Sequence, residues 1–152
     1  MILFAVTLSS ILLAIALGVA NIALKEIRFG TSAKDTSNAF FASDTGIECA
    51  LLGDKTFASS PFKPTGGASS IECLGGNVSI NGNYPSFNFV VSGLGSSGQS
   101  CANVTIFKDE VIKAPAVVTT VVSKGYNIQD VGDPTCSSSN PNRVEREIKV
   151  TY

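Results

Sequence analysis

The chain contains no histidine and no tryptophan, and only one methionine in 152 residues. Without histidine, the commonest general base and the commonest metal-binding side chain are both missing. The four cysteines, Cys49, Cys73, Cys101 and Cys136, include no C-x₂-C pair, so a zinc site built from scattered thiolates is not expected. Charge is scarce as well. A formal net charge of −1, with no concentrated run of Lys and Arg, argues against a nucleic-acid partner. Proline is absent before Pro61, and no charged side chain occurs before Lys25.

What fills the uncharged stretch is MILFAVTLSSILLAIALGVANIAL, in which only Thr7, Ser9, Ser10 and Asn21 are polar. As a helix, these 24 residues are roughly 36 Å long, enough to cross a hydrocarbon layer about 30 Å thick. A helix apolar on every side belongs in lipid or among similar helices. A cleaved secretory signal would show a basic start and a break in character after the small residues around Gly18, whereas the apolar pattern continues through Ile22, Ile27 and Phe29. A plain single-span anchor would leave Lys25 and Arg28 on the wrong side for an exported domain. A basic leader once in front of Met1, since removed, resolves that conflict.

The helical pattern runs on. Ile22, Phe29, Ala33, Phe40, Ile47 and Leu51 recur at helical spacing, while Lys34, Asp35, Ser37, Asn38, Asp44 and Glu48 fill the other side. This predicts one helix from about residue 2 to residue 52, ended by Gly53 and Asp54, whose second half packs on a domain and whose first half projects. Gly18, next to Asn21, is the candidate position for local melting, with close helix packing as the alternative reading of the same glycine.

Beyond Leu52 the composition turns to Gly, Ser, Thr and Asn. Residues 55–70 read as a loop, with Phe57 and Phe62 pinning it to the core. Strands are expected at 71–74, 78–80, 86–91, 102–107, 117–123 and 143–152, separated by turns such as Gly75-Gly76 and Asn81-Gly82-Asn83. The expected fold class is therefore α+β: a long N-terminal helix packed against a C-terminal antiparallel sheet. Its parts are an apolar helix over 1–24, an amphipathic continuation over 25–53 and a globular β domain over 54–152.

An even number of cysteines behind an export-like N-terminus reads as two disulfides in an oxidising compartment. Three pairings are open. Sequential pairing, Cys49 with Cys73 and Cys101 with Cys136, is favoured because each bridge then stays within one structural unit. Each bridge is worth about 3 kcal/mol.

These features resemble the mature type IV pilins and their relatives, the minor pilins and pseudopilins. The run ALKEIRFGTSAKDTSNAFFASDTGIECAL after the apolar segment and the ending SNPNRVEREIKVTY are similar to segments of pilus-assembly proteins. The resemblance implies a prepilin whose basic leader is removed, leaving Met1 as a processed, commonly N-methylated first residue. It implies subunits held in the inner membrane with the globular domain outside, then drawn by an assembly machinery into a helical homopolymer at the cell surface. Met1, Ile2, Leu3, Phe4, Ala5, Leu8, Ile11, Leu12, Ile15, Val19 and Ile22 would line the filament core or the membrane, and Gly18 and Asn21 would mark the segment that melts on assembly. In water each large core side chain contributes roughly 1.5 to 3 kcal/mol when fully buried. Most pilins carry a glutamate at the fifth mature position, where this chain has Ala5. Minor pilins that cap or initiate a filament can lack it.

Other motifs have plainer readings. Gly93-Leu94-Gly95-Ser96-Ser97-Gly98 fits G-x-G-x-x-G, but the following residues read as a strand where a dinucleotide site needs a helix, so a turn is expected and no cofactor. Neither catalytic nor metal-binding residues are expected, and the chain is not read as an enzyme. Glu26, Lys25 and Arg28 fit either inter-subunit pairs or a solvated helix surface. Asn77-Val78-Ser79 and Asn103-Val104-Thr105 match the N-glycosylation triplet, which arises by chance in Ser- and Thr-rich chains. The expected function is a structural subunit of a pilus-like filament. The alternative is a minor or tip pilin, or a membrane-anchored extracellular binding module.

Overall fold

A computed structural model describes residues 2–55, 60–64, 69–110, 117–130, 133 and 135–152. The elements run α1 (Ile2–Lys55), β1 (Ser70–Cys73), β2 (Gly76–Ser79), β3 (Asn81–Asn83), β4 (Ser86–Leu94), β5 (Ser100–Glu110), β6 (Val117–Tyr126) and β7 (Glu145–Thr151). The strands form an antiparallel pair β1-β2 and an antiparallel five-stranded sheet in the order β3-β4-β5-β6-β7. The class is α+β, as the sequence predicts. By contact the chain divides into two units, Met1–Lys34 and Asp35–Tyr152, and α1 contributes to both.

In the first unit, every described residue is helical and exposed. No proline interrupts it, and the helix passes through Gly18, Asn21 and Gly30 without a break.

In the second unit the sheet follows from alternation. Phe87, Phe89 and Val91 of β4, Ala102, Val104 and Ile106 of β5, and Val121 of β6 point to one side and are buried together. The β1-β2 hairpin turns at Leu74 and Gly75, both at positive φ (54° and 75°), which the two-residue turn of a hairpin demands. Asn81-Gly82-Asn83, expected as a turn, is instead strand β3. The turn lies one step later, at the cis Tyr84-Pro85 bond between the paired residues Asn83 and Ser86. Observed strands are longer than expected on β4, β5 and β6, because ladder pairing extends them past their apolar centres.

The helix seats on the sheet through small side chains, and here the expected stripe is corrected. Of its six residues only Ile47 is buried. Leu51 is half-buried, Phe40 is 48% exposed, and Ile22, Phe29 and Ala33 are exposed in the first unit. The buried face of α1 is Ala39, Ala42, Ser43, Gly46, Ile47, Cys49, Ala50 and Gly53. The reason is distance. A Cβ added to Gly125 of β6 would collide with the Ala39 carbonyl, and one on Gly46 would lie 2.8 Å from Val104 Cγ2. Backbone meets backbone, and Ser43 Oγ donates to the Ser123 carbonyl across the seam at 2.7 Å. Gly53, expected as a terminator, lies inside the helix for the same reason: its Cβ would be 3.2 Å from Ile71 and 3.3 Å from Phe62. The described helix runs as far as Lys55.

Phe62 pins the following loop, 1% exposed, with its ring centroid 5.5 Å from that of Phe87 and 6.5 Å from that of Phe89. Phe57 lies outside the described residues. The disulfides join Cys49 to Cys73 and Cys101 to Cys136, the sequential pairing, with Cα separations of 5.5 and 5.8 Å. The first ties α1 to β1. The second ties the segment between β6 and β7 to β5, and that segment is held further by Asn127, which accepts from Val144 N at 2.7 Å and donates to the Asn142 carbonyl. Arg143 completes it, lying 3.6 Å above the Tyr126 ring and donating to the Cys136 carbonyl.

Candidate functional site

The sequence directs attention to residues 2–24, and these form a continuous apolar surface. Ile2, Leu3, Phe4, Leu8, Ile11, Leu12, Ile15, Val19 and Ile22 are between 45% and 83% exposed, and Ala5 is exposed among them. Met1 lies outside the described residues. An apolar environment would penalise any hydroxyl left without a partner, yet the hydroxyls here are satisfied within the helix. Thr7 donates to the Phe4 carbonyl at 3.0 Å, Ser9 to Ala5 at 2.9 Å and Ser10 to Thr7 at 2.8 Å. The helix is long and apolar enough to cross a membrane. Among the described residues nothing lies within 4 Å of a would-be Gly18 Cβ, so close packing among them does not account for this glycine.

In the second unit, the outward side of α1 is mixed. Phe40 and Phe41 stack edge to face with centroids 5.9 Å apart and are 48% and 62% exposed, beside exposed Asp44 and Glu48. Sequence reasoning placed Phe40 on the buried stripe and did not single out Phe41. Only the small-residue periodicity, Ala39-Ala42-Ser43-Gly46-Ala50-Gly53, carried the signal that these aromatics face away.

Towards the end of the helix lies a polar cluster whose members no sequence pattern joins. Lys108 on β5 donates to both Asp54 oxygens, at 2.7 and 2.9 Å, while Ser60 and Tyr152 donate to the same carboxylate at 2.7 and 2.8 Å. Burial opposes ionisation of Asp54, but the hydrogen bonds from Lys108, Ser60 and Tyr152 together outweigh it and hold its carboxyl below the ordinary value. Burial, and then the bond to Asp54, pushes the Tyr152 phenol above its ordinary value. Lys55 lies 4.4 Å over the Tyr152 ring. Every acceptor site is occupied by structural donors, so the cluster clamps the helix to the sheet.

Two surface grooves accompany these features. One, of about 540 Å³, runs between β2 and β4 and is lined by Asn77, Val78, Ser79, Asn81, Val90 and Ser92. The other, of about 500 Å³, is lined by Phe41, Thr45, Leu74 and Leu94. Among the described residues neither lining includes a charged side chain. Residues 95–99 join β4 to β5, with positive φ at Gly95 and Gly98 and a hydrogen bond from Gly98 N to the Gly95 carbonyl, while Gly93, also at positive φ, lies near the end of β4 where the pairing register shifts. Asn77 and Asn103 are exposed on β2 and β5. Among the described residues no group of three or more acidic or cysteine side chains is placed to hold a metal.

Comparison of the chain with protein-family models, curated proteins and solved structures finds no match.

Proposed function

We propose that this chain is a structural subunit of an extracellular type IV pilus-like filament that polymerises through its apolar N-terminal helix. The observation that carries the proposal is the first unit itself. Its helix exposes a predominantly apolar surface over residues 2–24, in which Thr7, Ser9, Ser10 and Asn21 are the polar side chains and the Thr and Ser hydroxyls are satisfied internally, so it needs lipid or other apolar helices around it. An apolar helix that continues into an antiparallel sheet unit is compatible with a pilin-like fold. Two disulfides fit an oxidising, extracellular setting. On this reading the helix resides in the membrane before assembly and exchanges lipid for neighbouring copies, and no reaction chemistry is required of the chain.

The test is electron microscopy with helical reconstruction of material sheared from cells and prepared without detergent. Thin filaments whose repeating density fits this chain, with residues 2–24 bundled at the axis, are the expected result. Filaments carrying the chain only at an end would make it a minor pilin. Recovery wholly in the membrane fraction as separate molecules would make it an anchored module.

A further inference from the structure

The outward side of α1 in the second unit carries a stripe, Phe41, Asp44 and Glu48, at i, i+3 and i+7, turned away from the small-residue seat. Among the described residues neither carboxylate takes part in an ion pair; the ion pairs of this unit join Lys108 to Asp54 and Lys124 to Glu145 and Glu147. The first unit repeats the spacing in Ile22, Lys25 and Phe29, with Arg28 one residue before Phe29, and all four are exposed. Neither cation is paired among the described residues. The two stripes thus match in spacing, and the cations on and beside the first, Lys25 and Arg28, oppose the carboxylates Asp44 and Glu48 of the second, with Glu26 the one carboxylate among residues 22–29.

We infer that residues 22–29 of one copy pack on residues 41–48 of a second copy, helices parallel, an interface that rests on the filament reading above. Ile22 then meets Phe41, Lys25 meets Asp44, and Arg28 and Phe29 meet Glu48, each of the stripe partners lying 19 positions further along the chain. The offset is about 29 Å of helix. The antiparallel arrangement sets Ile22 on Glu48 and brings Arg28 to Ala42, leaving one cation and one carboxylate without partners. Parallel packing pairs both. Glu26 stands on the same side, about 40° round from Ile22, and its counterpart at this offset is Thr45; the two cations of residues 22–29 outnumber it. The charges fix the register between copies, while apolar contact between Ile22 and Phe41 excludes water beside them.

The test uses the full chain in cells that produce it, comparing wild type with Lys25→Glu plus Arg28→Glu, Asp44→Lys plus Glu48→Lys, and all four changes together. All four positions are exposed, and non-reducing electrophoresis checks that both disulfides form in each variant. Each double reversal is expected to lower the yield of sheared filaments roughly tenfold or more, since like charges then face each other, and the quadruple variant is expected to restore it. A Lys25→Cys plus Asp44→Cys variant is expected to give disulfide-linked ladders of copies within filaments. Undiminished yield in the reversals, or intact filaments without ladders, would overturn this interface while leaving the filament standing. Absence of wild-type filaments would instead remove the filament reading, and this interface with it.

Discussion

The carbonyl oxygen of Ala39 in α1 stands where a Cβ on Gly125 of β6 would have to go. Helix backbone and strand backbone therefore touch directly, and the second unit depends on small side chains, or none, at this seam. Gly125→Val and Gly46→Leu should each cost about 3 kcal/mol, at the upper end for overpacking a well-filled core. By contrast, Gly18→Ala and Gly30→Ala, with nothing within 4 Å, should raise helix stability by up to about 1 kcal/mol. Urea unfolding of the full chain in mild detergent, followed through the midpoint, separates the two classes.

The clamp at the helix end sets a pH dependence. Asp54 is held below its ordinary value, so its contribution is complete above about pH 5 and is lost as pH falls through its folded value, below about 4. The Tyr152 phenol is raised, so its contribution is complete below about pH 10 and is lost only as pH rises through the folded value. Thermal unfolding measured across this range should show a plateau with an acid limb. Asp54→Asn should flatten that limb and cost about 3 kcal/mol at neutral pH, because Lys108 is left part-buried without its counter-charge.

Each disulfide closes a loop, with sequence separations of 24 and 35. Replacing either pair by serine should cost about 3 kcal/mol. The site of the damage should differ. Loss of Cys49–Cys73 should free β1 from α1, and loss of Cys101–Cys136 should free the segment between β6 and β7, as read by amide hydrogen exchange.

Phe40 and Phe41 test the direction of the helix face. Phe40→Ser and Phe41→Ser should change unfolding stability by less than about 1 kcal/mol, since both rings are exposed. If filaments form as proposed, Phe41→Ser should nevertheless lower their yield. A large loss of stability would mean that the aromatics belong to the core after all.

Much of this was readable in the residues because it depends on local chemistry. The absence of proline before Pro61 and the run of apolar residues specify a long helix, and alternation specifies the strands. The sequential cysteine pairing, expected because each bridge then stays within one structural unit, is the one observed. The helix face differs from the expectation because large apolar residues are not the mark of burial here. At a helix seated on backbone the mark is the reverse, since only Ala, Ser and Gly permit the approach. The turn at residues 81–83 was displaced because Asn and Gly serve an edge strand as well as a turn, and the cis Tyr84-Pro85 bond is invisible in composition. Asp54, Lys108 and Tyr152 are 54 and 98 residues apart in the relevant pairs, and no periodicity joins them.

The amino-acid order alone is enough to read residues 2–24 as a helix needing an apolar environment and the following part as a disulfide-bonded antiparallel β unit, because helix length, hydropathy, alternation and turn chemistry act over a few neighbours. Tertiary structure alone decided which face of α1 meets the sheet, why Gly46, Gly53 and Gly125 bear no side chain, and how a single carboxylate gathers donors from the loop after α1, from β5 and from the residue that follows β7. Those outcomes depend on distances between segments remote in the chain, which only close packing sets.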